Sequence, residues 1–225
     1  MVGLLLGQGA LVAGASWPDA LSRMPMGAAG GVLNHTNCAP LLLGGFQSNA
    51  TVKALIFMPG ATDELFFFRR VQVTLTNAKP TLFEAVVALT NQSPLRATFQ
   101  PPFLLIHSEE DVLALAVTVH HPRTVARLKA GKPLPHLLVL DRDWDQLLAR
   151  IKKPMGTTLW PYQGTQDSWH FYRHTFAGWN LTPWETLEAA ALAGKTRFTV
   201  RRAHVAFEVD PRIGVVPQLE HFPGR

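Results

Sequence analysis

The sequence predicts an α+β fold made of two βαββ-type modules, a central α/β segment and an apolar N-terminal arm. Three observations carry that expectation. One pattern is written twice, 101 positions apart: Thr81-Leu-Phe-Glu84 opens an apolar helical stretch through Leu89, and Thr182-Pro-Trp-Glu185 opens another through Leu192. Each is followed by two short apolar runs, ending at His107 and at Glu208, again 101 apart. The 225 residues are 47% hydrophobic and 16% charged, a balance that supports a real core and argues against long disorder.

Taken in order, Met1 to Ser16 carries no charged side chain, and Ala13-Gly14-Ala15 resembles the small-residue cleavage site of a secretory signal. No Lys or Arg precedes the apolar run, which is short for a bilayer span and is interrupted by Trp17-Pro18. Two alternatives stand: a signal-like segment, or an arm docked on its own domain or on a partner. Thr51 to Met58 reads as a strand. Pro59 to Glu64 reads as a turn that lacks the glycine spacing of a phosphate loop. In the run 67–75, Phe67, Val71, Val73 and Leu75 share one strand face, with Arg70, Gln72 and Thr74 on the other.

The two helices start on capping boxes, in which Thr and the Glu three residues later each satisfy a backbone N–H. Pro183 suits the first helical position of the second copy, and Gly194 with Lys195 suits its end. The hairpins are 95–99 with 103–107, and 197–200 with 204–208. Shifted by 101, the apolar strand face of the first module becomes Ser168, Tyr172, His174 and Phe176. Between the modules, 122–130 reads as a helix, 136–140 as a buried strand and 142–151 as a second helix, with Pro133, Pro135, Pro154 and Pro161 as punctuation. The expected organisation is an arm at 1–16, a first α+β module at 17–110, a central α/β segment at 111–165 and a second βαββ module at 166–225.

The stretch from Val71 to Leu89, with "PTLFEAVVAL" at its centre, followed by Leu95 to His107, resembles the small βαββ modules at the N-termini of secretins and TonB-dependent receptors. Asn180-Leu-Thr-Pro-Trp-Glu-Thr-Leu-Glu-Ala189 resembles the same pattern more weakly. Together the matches cover about a third of the chain and consist of packing and capping positions. The resemblance implies a periplasmic interaction or ring-building module, with no catalytic residue to carry over.

The residues point to little conventional chemistry. The net charge of +5 is spread along the chain, with Arg69-Arg70, Lys152-Lys153 and Arg201-Arg202 as isolated pairs, and no nucleic-acid-binding motif is present. No nucleic-acid partner is therefore expected. The lone Cys38 precludes an internal disulfide and lacks the neighbours of a metal site. Leu140-Asp-Arg-Asp-Trp-Asp145 sets carboxylates after a strand, where Asp141 or Asp143 can cap the following helix. His170 and His174 would share a metal on a helix, but on a strand the same spacing is about 13 Å, too far for one ion. There is no Gly-x-Ser-x-Gly elbow. Aromatics are densest from Trp160 to Trp184, and Trp160, Tyr162, Trp169 and Trp179 are the candidate interface residues.

These readings converge on a non-enzymatic interaction or scaffold protein of a bacterial-type cell envelope, periplasmic or exported. It would need no cofactor and would pair with other protein chains or with itself. Association near a membrane would run through residues 1–16. The alternative is a metal-dependent hydrolase using Asp141 and Asp143 with His170 and His174.

Overall fold

A five-stranded mixed sheet organises the computed structural model, which describes residues 16–26, 31–47, 49, 51–58, 71–108, 113–160 and 173–209. In spatial order its strands are β4 (Leu95–Gln100), β5 (Phe103–Ser108), β2 (Ala54–Phe57), β9 (His174–Leu181) and β7 (Leu134–Arg142). β2 runs parallel to β5 and antiparallel to β9; the outer pairs are antiparallel. Strands covered on both faces read as continuous apolar runs, and Ala54-Leu-Ile-Phe57 and Phe103-Leu-Leu-Ile106 do so here. Alternate residues then feed two separate cores. Ala54, Ile56, Phe103, Leu105 and Phe176 point into one, while Leu55, Phe57, Leu104, Ile106 and Ala177 point into the other.

The second of these cores is closed by α1 (Trp17–Ser22), α2 (Cys38–Gly45), α3 (Leu82–Gln92) and a ribbon of β1 (Val32–Asn34) with β3 (Gln72–Thr74). On the opposite face lie α4 (Pro122–Ala130), α5 (Trp144–Met155) and α6 (Pro183–Ala193). Beyond them is a four-stranded sheet ordered β6 (Val117–Val119), β10 (Thr196–Val200), β11 (His204–Val209) and β8 (Thr158–Trp160). β6 and β8 are parallel to their neighbours, and β10 and β11 form the antiparallel hairpin. Helix α6 touches β2 and β9 of one sheet and β10 of the other. Its small side chains Ala189, Ala190, Ala191 and Ala193 are all fully buried, which lets the two sheets approach it from opposite sides.

Six helices and three sheets among the described residues make the chain α+β. Both expected capping boxes form: Thr81 Oγ1 accepts from Glu84 N at 3.2 Å, and Thr182 Oγ1 accepts from Glu185 N at 3.2 Å. Glu84 and Glu185 return the bond to the Thr81 and Thr182 amides at 2.7 and 2.8 Å. The helix and the two hairpin strands that follow each capping box start at 82, 95 and 103 and at 183, 196 and 204, a constant difference of 101. The strand before each helix behaves differently: β3 pairs with β1, and β9 lies between β2 and β7. The five-stranded sheet therefore draws strands from 17–110, 111–165 and 166–225 alike. Residues 1–15, including most of the arm, lie outside the described residues.

Cys38 begins α2 and is fully buried, and burial pushes its thiol up to about 12. Since the thiolate is the reactive form, the native protein should react with a thiol-specific disulfide reagent at mildly alkaline pH at least about a hundredfold more slowly than the same chain in denaturant. Equal rates in a spectrophotometric thiol assay would refute that burial.

Candidate functional site

Three of the four sequence candidates for chemistry meet where β7, β9 and α5 join. β7 and β9 pair regularly from Leu134↔Leu181 to Val139↔Phe176, and a bulge then brings Arg142 opposite His174. Asp141 sits in that bulge with φ of 46°, a conformation that aspartate tolerates better than most residues. Its amide donates to Thr175 Oγ1 at 3.1 Å. Its carboxylate takes a two-pronged contact from Arg173, Nε to Oδ1 at 2.7 Å and Nη2 to Oδ2 at 2.8 Å. Such fork-to-fork pairing fixes orientation, although at this solvent exposure it contributes little to stability. One residue past the strand, Asp143 is the N-cap of α5 and accepts from Gln146 N at 2.9 Å. Asp145 follows in the first turn, where the helix dipole favours it.

His174 has no solvent exposure. Its Nδ1 lies 3.1 Å from the Arg142 carbonyl oxygen, which makes Nδ1–H the donor and leaves Nε2 with the lone pair. Among the described residues the buried Nε2 has no hydrogen-bond partner. The Trp144 ring meets the imidazole edge-on at 4.3 Å, and a side chain at Gly194 would collide with Nε2. The missing Cβ is what allows the end of α6 to close over the ring. Burial drives the pKa of His174 down to about 4, against the opposing pull of the Arg142 carbonyl and Asp143. The imidazole is thus a neutral core group.

His170, Tyr162 and Trp169 lie outside the described residues. Among the described residues, no three of His, Cys, Asp and Glu gather to hold a metal ion, and no helix is long and apolar enough to cross a membrane. Of the aromatic candidates, Trp160 is 43% exposed on the edge strand β8, with its ring stacked on His204 at 3.8 Å and 12°. Trp179 is half-buried; it stacks on His136 at 4.1 Å and donates from Nε1 to the Phe46 carbonyl at 3.3 Å.

Sequence reasoning did not single out Lys195 as a buried cation. It follows Gly194 with φ of 50°, is 7% exposed, and burial lowers its pKa to about 8. Nor did it find the 2.7 Å pair between Lys53 and Glu185, which ties the start of α6 to the strand region of β2. A lysine after a helix-ending glycine is an ordinary terminal charge in sequence, and its burial comes from the fold around it. Comparison of the chain with protein-family models, with curated proteins and with solved structures finds no match.

Proposed function

We propose that the protein is a non-enzymatic interaction protein of a bacterial-type cell envelope that carries the βαββ unit twice and works as part of a larger assembly, with itself or with other chains. The observation that carries this reading is Trp160. A large aromatic held in a defined orientation by its stack on His204, on a strand at the margin of a sheet, is the kind of group that protein interfaces bury. The constant shift of 101 in helix and hairpin starts supports the duplication. A further parallel supports it too: β2 flanks β5 in parallel, as β8 flanks β11. Asp141, Asp143 and His174 are spent on an ion pair, a helix cap and core packing, so the hydrolase alternative draws no support from their geometry.

Light scattering and native mass spectrometry of the full chain test the reading, combined with metal analysis. The expected result is an oligomer, or a complex with a second protein, that Trp160→Arg dissociates while the melting curve stays cooperative. A monomer holding stoichiometric metal would overturn it.

A further inference from the structure

Two of the cationic pairs that look isolated in the sequence, Lys152-Lys153 and Arg201-Arg202, come together in the fold. The pairings of the four-stranded sheet put the last residues of β6 and β10 and the first residues of β11 and β8 at one end. His120 N donates to the Val200 carbonyl at 2.9 Å, Thr124 Oγ1 to the Arg202 carbonyl at 3.4 Å and Thr157 Oγ1 to the Ala203 carbonyl at 3.5 Å. These bonds bind the start of α4, the β10–β11 hairpin and the end of α5 into one surface. Arg123 comes from the first, Arg201 and Arg202 from the second, and Lys152 and Lys153 from the third, and all five are exposed.

The segments 113–124, 149–160 and 195–207 contain no Asp or Glu. Among the described residues none of the five makes a salt bridge, whereas Lys53, Arg173 and Arg197 elsewhere do. An open concavity of about 530 Å³, lined by Lys152, Lys153, Gly156, Thr157 and Thr158, lies within this surface. Four strand ends at about 4.8 Å spacing give it a width of roughly 14 Å.

We propose that this end of the four-stranded sheet is a docking surface for an anionic lipid bilayer. Arg201 and Arg202 in the β10–β11 hairpin, flanked by Arg123 at the start of α4 and Lys152 and Lys153 near the end of α5, form a broad face suited to an extended layer of headgroup phosphates. The same face carries Val119, 44% exposed at the end of β6 and one of only three large hydrophobics so exposed among the described residues. An apolar tip amid cations fits the boundary between headgroups and acyl chains, where charge attraction and apolar burial act together. A nucleic acid would use the cations and leave Val119 unexplained. The proposal extends the envelope reading, yet does not depend on assembly or on Trp160.

Sedimentation of the full chain with vesicles tests it. Binding is expected to vesicles of mixed phosphatidylglycerol and phosphatidylcholine, to be lost in high salt, and to be at least about tenfold weaker on phosphatidylcholine alone. The double reversal Lys153→Glu with Arg202→Glu should weaken it at least about thirtyfold, since each cation near an anionic surface is worth about fivefold. Arg23→Glu with Lys79→Glu changes the net charge equally just past α1 and in the loop before α3, on the side of the other core, and should change binding less than about threefold. Circular dichroism and a melting curve establish that both variants are folded. Equal losses in the two variants, equal binding to neutral vesicles, or no vesicle binding would overturn the proposal. So would preferential binding of a single-stranded DNA oligonucleotide lost with the same Lys153/Arg202 reversal.

Discussion

Lowering the pH from about 7 to about 4 is expected to remove about 3 kcal/mol of folding stability through His174 alone. Unfolded, its imidazole has the ordinary value of 6.5; folded, burial holds it at about 4. As the pH falls through 6.5 the unfolded chain takes up a proton that the native core refuses, so acid favours unfolding. The stability is fully present above the unfolded value, with about 2 kcal/mol already gone at pH of about 5, and it levels off below the folded value. Asp143 and Arg173 are the charged groups that bear on the ring, the first favouring its protonation and the second opposing it. Urea unfolding across this range, on the native chain and on His174→Met, isolates the effect, because other titrating groups contribute to both. The two profiles should diverge by about 3 kcal/mol; parallel profiles would mean that the imidazole is not a buried neutral group.

What was legible in the sequence divides along physical lines. Capping is local chemistry, so both Thr–Glu boxes and the helix at 122–130 were readable from a few residues each. The strand read over 136–140 extends to Leu134–Arg142, and the helix read over 142–151 runs Trp144–Met155. Its later start follows from Asp143, whose side chain makes it the cap and leaves Asp141 in the bulge. Helix α1 went unread although Ser16 and Asp19 form a capping box of the same kind, because Trp17-Pro18 reads as an interruption of the apolar arm. Helix α2, Cys-Ala-Pro-Leu-Leu-Leu-Gly-Gly, has no polar face to reveal its period, and Asn37 caps it without a side-chain bond. The three-residue strands β1, β6 and β8 exist only through their partners. For the site, the Asp143 cap was local, while the Asp141–Arg173 fork spans 32 positions and the burial of His174 depends on Gly194. Which sheet receives β9 is decided by packing, since its sequence fits a strand beside either partner.

Ala189→Leu is expected to cost about 3 kcal/mol, and Ala88→Leu less than about 1 kcal/mol. Residues 88 and 189 occupy the same place in α3 and α6, 101 apart. Leucine is nearly as good a helix former as alanine, so propensity contributes little to either change. The surroundings differ. Ala88 is half-buried at the margin of its core, where three added carbons can spread toward solvent. Ala189 is fully buried in a helix that touches β2 and β9 on one sheet and β10 on the other. The same three carbons there must displace a sheet, and interiors at crystal-like density yield poorly to extra volume. Denaturant midpoints at unchanged slope supply the measurement. Matching losses at the two positions would mean that α6 is not enclosed between sheets. A large loss at Ala189 alone would show that α6 is held tightly between two sheets, whereas α3 lies at the outside of its core.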